Sequence, residues 1–142
     1  MTKKRIAVLL AGAAVIATAL AAGLPRSKAP ADAEVYFISP NDGETVASPL
    51  AVRFGLRGMG IAPAGVAFEN AGHHHLLIDA ELPALDRPIP ADANHVHFGK
   101  GQTESVITLA PGRHRLQLLL ADHFHIPHDP PVMSKPITVI VR

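Results

Sequence analysis

The stretch RHRLQLLLAD, residues 113–122, decides the fold that this chain is predicted to adopt. Leu116, Leu118 and Leu120 occupy every second position, which is the side-chain period of a β-strand. The dipeptide Pro111-Gly112 directly before the stretch is a turn signal. The stretch therefore predicts a strand that follows a tight turn and buries one leucine face in a core.

Shorter runs of the same kind occur on both sides of this stretch. Leu50, Val52, Phe54 and Leu56 also stand at alternate positions, with polar or small residues between them. Turn residues separate the runs, and 13 prolines leave no room for a long helical period. The chain is thus predicted to be all-β, an antiparallel immunoglobulin-like β-sandwich of six to seven strands. The predicted strands are Glu34–Ser39, Leu50–Leu56, His74–Asp79, Glu104–Leu109, Arg113–Asp122 and Pro136–Arg142.

The first residues have the pattern of a secretory signal peptide. Lys3, Lys4 and Arg5 form a basic start, and an apolar run with no charged residue follows at 6–22. We therefore assign 1–22 to a signal peptide, 23–33 to a flexible linker rich in proline and alanine, and 34–142 to the folded domain. An uncleaved membrane anchor is the alternative, at the short limit for a membrane span. The expected location is periplasmic or secreted.

Composition excludes several classes of function. Without the signal segment the chain keeps 10 Lys and Arg against 12 Asp and Glu, a net charge of −2. This charge gives no footprint for nucleic acid, and no membrane contact is expected after cleavage. The chain has no cysteine, so it forms no disulfide, carries no lipid anchor on cysteine and offers no thiolate ligand or nucleophile.

Histidines carry the functional signal. Of nine in the chain, six form three H-x-H pairs, and another follows the last pair in DHFHIPHDPP, residues 122–131. Side chains two apart on a strand lie on the same face, about 7 Å apart, so each pair can direct two imidazoles toward one ion. The candidate metal ligands are His73, His75, His95, His97, His123, His125 and His128.

Two further histidines and three carboxylates have different expected roles. His74 shares its parity with Leu76 and Ile78, so it is expected to have a buried hydrogen-bond partner or to lie at the frayed start of its strand. His114 is expected to be a surface or hydrogen-bonded residue. Carboxylates often accept the second ring N–H of a metal-bound histidine. The candidates for that role are Asp79, Asp122 and Asp129, of which Asp122 and Asp129 could instead shape turns.

Three motifs together resemble a bacterial family known as domain of unknown function 4399. They are GHHHLLID (72–79), NHVHFGKGQTE (94–104) and LAPGRHRLQLLLADHFHIPHDPPVMS (109–134). The resemblance extends over 35–141 and implies an exported, compact domain, with no activity to carry over. The hallmark positions that it implies are His73, His74, His75, Asp79, His95, His97, Lys100, Gln102, His125 and His128.

Imidazole ligands without thiolate suit Cu(II) and Zn(II). We therefore predict an exported domain that binds one of these divalent ions, with Cu(II) the first choice outside the cytoplasm. Because four ligands fill a tetrahedral site, a leading subset of four is chosen: His75, His95, His97 and His125. A metal-dependent enzyme with an open coordination position stays an alternative, as does a non-metal interaction module or a pH-responsive module.

Overall fold

The structure, a computed structural model, describes residues 23–142, so the predicted signal segment at 1–22 lies outside the described residues. This part of the chain contains nine strands and no helix, which confirms the all-β prediction. None of its elements is therefore a helix able to span a bilayer. The strands are β1 (Glu34–Ser39), β2 (Thr45–Val46), β3 (Leu50–Arg57), β4 (Gly60–Ile61), β5 (Ala71–Ile78), β6 (His95–His97), β7 (Glu104–Ile107), β8 (Gly112–Ala121) and β9 (Ile137–Val141).

All six predicted strands are present, with ends that differ by at most a few residues. The three strands that the sequence did not predict, β2, β4 and β6, have only two or three residues. A segment of that length is too short to show a period of two. These strands form because a longer neighbour offers its free edge for pairing.

The strands make two sheets. One has the order β1-β3-β7, and the other has the order β2-β9-β8-β5-β4, with β6 also paired to β5. The prediction of a wholly antiparallel arrangement was wrong, because β2 with β9 and β4 with β5 are parallel pairs. Each parallel pair has only two residue pairs, which join a two-residue strand, β2 or β4, to a longer neighbour. The immunoglobulin-like topology stays a prediction.

The main core lies between the two sheets. Val52 and Phe54 of β3 belong to the same buried apolar cluster as Leu116, Leu118 and Leu120 of β8. All three leucines are completely buried, so the inward face predicted from their alternation is confirmed.

The outer face of the larger sheet is covered as well. Leu77 of β5 and Leu119 of β8 point away from the main core and form a second buried cluster with Ile89. Ile89 belongs to the long irregular segment after β5, which crosses this face. As a result all eight residues of β5 are buried, including the outward ones.

The segment before β1 lies against the domain. Arg26 donates hydrogen bonds to the backbone carbonyl oxygens of Pro127 and His128. Lys28 forms a β-bridge with Asp129, and their side chains make an ion pair. The predicted linker thus contacts the histidine-rich loop that follows β8.

Candidate metal centre

The central strand β5 supplies two buried imidazoles. His73 and His75 alternate with His74, so both point to the outer face of the larger sheet, as Leu77 does. Their exposed fractions are 0% and 1%. β8 pairs with β5 along one edge, and the short strands β4 and β6 pair with the other. The backbone that holds these two rings is therefore fixed from both sides.

The edge strand β6 supplies the third imidazole. The antiparallel register places His97 directly opposite His75, so the two side chains lie on the same face. Their ring centroids are 5.1 Å apart. Because β6 has only three residues and ends the sheet on this side, His97 is exposed, unlike His75.

A tight turn after β8 supplies the fourth imidazole. The Asp122 carboxylate accepts hydrogen bonds from the backbone N–H groups of Phe124 and Ile126, at 2.9 and 3.1 Å. His125 occupies the left-handed region, with a φ of 64°, and its carbonyl oxygen accepts a hydrogen bond from the N–H of Ile89 at 2.8 Å. These bonds bring the His125 ring over β5, where its Nδ1 lies 3.1 Å from Nε2 of His73.

The four rings form a compact group. One ring nitrogen of each histidine lies within 4.8 Å of the corresponding atom of every other member: His73, His75, His97 and His125. A tetrahedral ion with metal–nitrogen bonds of 2.0–2.1 Å holds its ligand nitrogens about 3.3–3.4 Å apart. Small side-chain rotations would therefore close the group around one ion.

The four ring centroids lie closer to a tetrahedron than to a square. The six distances between ring centroids run from 4.7 Å (His97–His125) to 6.0 Å (His75–His125). In a square of four rings, the two diagonals join different pairs of rings, and both are about 40% longer than the sides. Here the longest distance joins His75 and His125, but the distance between the other two rings, His73 and His97, is only 5.0 Å.

Burial favours the neutral form of the imidazoles of His73, His75 and His97. Loss of solvent, with smaller contributions from neighbouring histidines, lowers the pKa of His73 to about 4 and that of His75 to about 2. The same two causes lower the pKa of His97. A neutral imidazole is the form that binds a metal. In addition, Nδ1 of His73 and Nδ1 of His75 are buried without a hydrogen-bond partner.

The other three predicted ligands lie outside the group. His95 stands opposite Leu77, which is two positions beyond His75 on the side away from His73, and its Nδ1 hydrogen-bonds the Asp92 carboxylate at 2.8 Å. His123 stacks on Phe124 at a centroid distance of 4.1 Å. His128 is buried, with Nε2 placed 3.3 Å from the Ala71 carbonyl oxygen. The group therefore contains His73 where the leading subset has His95.

The three candidate carboxylates have other partners. Asp79 accepts hydrogen bonds from the N–H of Arg115 and from Nδ1 of His114. His114 is thus hydrogen-bonded, as predicted. Asp129 pairs with Lys28, and Asp122 accepts a hydrogen bond from Ser27 besides those of its turn. Asp122 therefore shapes the turn that carries His125, which was the alternative role considered for this residue.

His74 faces the main core, as its parity predicts. It is fully buried, and its ring centroid lies 5.1 Å from that of Phe54. Neither of its ring nitrogens has a hydrogen-bond partner and the residue lies inside β5, so both roles expected of it, a buried partner or a frayed strand start, were wrong. Burial lowers its pKa to about 4, so this imidazole is neutral and does not take part in the metal group.

Sequence reasoning missed Gly99, which makes room for the His97 ring. A Cβ atom built on Gly99 would overlap the His97 ring, and it would lie 3.2 Å from the Cβ of Ala64. The ring therefore occupies space that any other residue at 99 would fill. The glycine two positions after the second histidine of the H-x-H pair is the signal that could have identified it.

Comparison with known families supports the resemblance seen in the motifs. Residues 52–142 match the family described as Domain of unknown function (DUF4399), and this range contains all four histidines of the group. The chain belongs to this family. No curated protein and no solved structure shows significant similarity to it. The DUF4399 assignment leaves the chemistry to be argued from the site itself.

Proposed function

We propose that this DUF4399 domain binds one divalent metal ion through His73, His75, His97 and His125, and that the preferred ion is Zn(II). The observation that carries the proposal is the compact group of four imidazoles, each with one ring nitrogen within 4.8 Å of the others, and two of them almost completely buried. Coordination of an ion would offset the free-energy cost of burying these two polar rings.

Geometry supports zinc over copper. Zn(II) has no geometric preference from its d electrons and is commonly tetrahedral, whereas Cu(II) favours square or tetragonal sites. The centroid distances exclude a square arrangement of these rings. Cu(II) stays the second candidate, because imidazole sites bind it more tightly than zinc when geometry does not intervene.

The ligand set supports binding and not catalysis. Four protein ligands complete a tetrahedral site, whereas catalytic zinc sites have three and keep a position for water or substrate. Handling of metal outside the cytoplasm fits the basic start and apolar run at 1–22. The intact mass of protein taken from the periplasm tests export. A mass that still includes the segment would contradict cleavage.

Calorimetric titration of untagged, metal-free protein with Zn(II) and Cu(II) tests the proposal. The expected stoichiometry is one ion per chain. Zn(II) should bind more tightly than Cu(II), although imidazole ligands by themselves favour Cu(II). His97→Ala should weaken binding strongly. His95→Ala is the matched control, since His95 lies on the same short strand but outside the group, and it should leave the affinity unchanged.

Cobalt(II) reports on the geometry. Tetrahedral cobalt absorbs visible light much more strongly than octahedral cobalt, so the loaded protein should be intensely coloured. Weak octahedral absorption would contradict the tetrahedral assignment. Absence of any bound ion, or an equal loss of affinity in His95→Ala and His97→Ala, would contradict the proposed site.

A further inference from the structure

We infer that the metal ion is a cargo, taken up and released through the side of the site formed by His97 and His125. This inference rests on the proposed metal binding and adds the direction from which the ion is exchanged. The acceptor that it implies is a small chelator or a protein with nitrogen or oxygen donors, which replaces the departing imidazoles one by one.

The two sides of the group differ in exposure. His73 and His75 are buried on a strand that is paired along both edges. His97 is exposed on an edge strand of three residues, and His125 is half-buried on a turn. An incoming donor atom must reach the ion while an imidazole is still leaving. Only the side with the exposed histidine allows that approach.

The fold does not depend on the ion to join its parts. β6 is tied to β5 by a ladder of three residue pairs, and the turn that carries His125 is held by the Asp122 carboxylate. The main core lies on the opposite face of the sheet. Zinc that stabilises a fold is typical of domains that have no such core and unfold without metal. An ion at this position therefore fits a role in metal exchange better than a role in holding the fold together.

A neighbouring loop lines the open side with small side chains. The Ala64 N–H donates a hydrogen bond to the Gly99 carbonyl oxygen at 2.8 Å, and the Ala64 methyl group lies near the His97 ring. The next residue, Gly65, donates to the His123 carbonyl oxygen at 3.0 Å, which ties the loop to the turn that carries His125. A large side chain at 64 would narrow the opening beside the His97 ring.

Transfer of zinc from the loaded protein to the coloured chelator 4-(2-pyridylazo)resorcinol, followed by stopped-flow absorbance, tests the inference. In the parent protein the release rate should rise with chelator concentration, because the chelator attacks the ion while it is still bound. Ala64→Phe should slow the transfer by a larger factor than any change in its zinc affinity, which is measured separately by calorimetry. The matched control is Ala51→Phe, an exposed position on the other sheet, which should transfer zinc at the parent rate.

A second measurement keeps the test independent of how Ala64→Phe folds. The metal-free parent should unfold cooperatively in circular dichroism, as a cargo ion requires. A release rate that does not change with chelator concentration, or a parent that is unfolded without metal, would overturn the inference while zinc binding stands. A parent that binds no zinc would instead overturn the proposed function.

Discussion

Replacing His74 by leucine should stabilise the domain. The imidazole is fully buried against Phe54, and neither of its nitrogens has a partner. An unsatisfied buried polar group costs about 1–3 kcal/mol. Leucine has a similar volume and no polar atom, so His74→Leu should raise the free energy of unfolding by about this amount at pH 7.

The gain should increase in acid. Burial lowers the pKa of His74 from 6.5 to about 4 in the folded protein. As the pH falls below the unfolded value, the unfolded chain takes up a proton that the folded state refuses, and the parent loses stability. One pKa unit is worth about 1.4 kcal/mol. Protonation of His74 in the unfolded chain should therefore lower the parent's free energy of unfolding by about 2 kcal/mol at pH 5 and by about 3 kcal/mol near pH 4. His74→Leu lacks this loss.

Urea unfolding of parent and variant at pH 7 and pH 5 measures both effects. The variant should show a higher midpoint with an unchanged slope, and its advantage should be larger at pH 5. Zinc affinity should not change, because His74 points away from the metal group. His123→Leu is the matched control, at a partly exposed histidine, and should give no comparable gain. A variant no more stable than the parent, with the same pH dependence, would refute the reasoning.

Three other substitutions test the packing and the hydrogen bonds. Leu118→Ala should cost about 2–5 kcal/mol in urea unfolding, because this leucine is completely buried, and a loss below about 0.5 kcal/mol would show a surface position. Gly72→Ala should cost about 1–3 kcal/mol in thermal unfolding, since the new Cβ would lie 2.5 Å from the Ala121 carbonyl oxygen. The hydrogen bond to Asp79 raises the pKa of His114, so its stabilisation is complete below pH 6.5 and is lost as the pH rises through the folded value. His114→Gln should therefore destabilise the protein at pH 5.5 but not at pH 9, and an equal loss at both would exclude the charged pair.

Local patterns were sufficient to place the long strands. The β1 strand has the predicted bounds, Glu34–Ser39, and β8 differs from its prediction by one residue at each end. Alternation also gave the inward leucines and the orientation of His74. These features depend on the pleat of a single strand, which turns successive side chains to opposite faces. No partner strand is needed to infer them.

Only the tertiary structure decided which histidines meet. All three H-x-H pairs look equivalent in the sequence, but the register of β6 places His97 opposite His75 and leaves His95 beside Leu77. His73 entered the group because a turn brings His125, 52 positions away, to within 3.1 Å of it. Likewise Asp79 meets His114, 35 positions away, and not a ligand. Register and loop paths result from long-range hydrogen bonds and packing, which a local period does not contain.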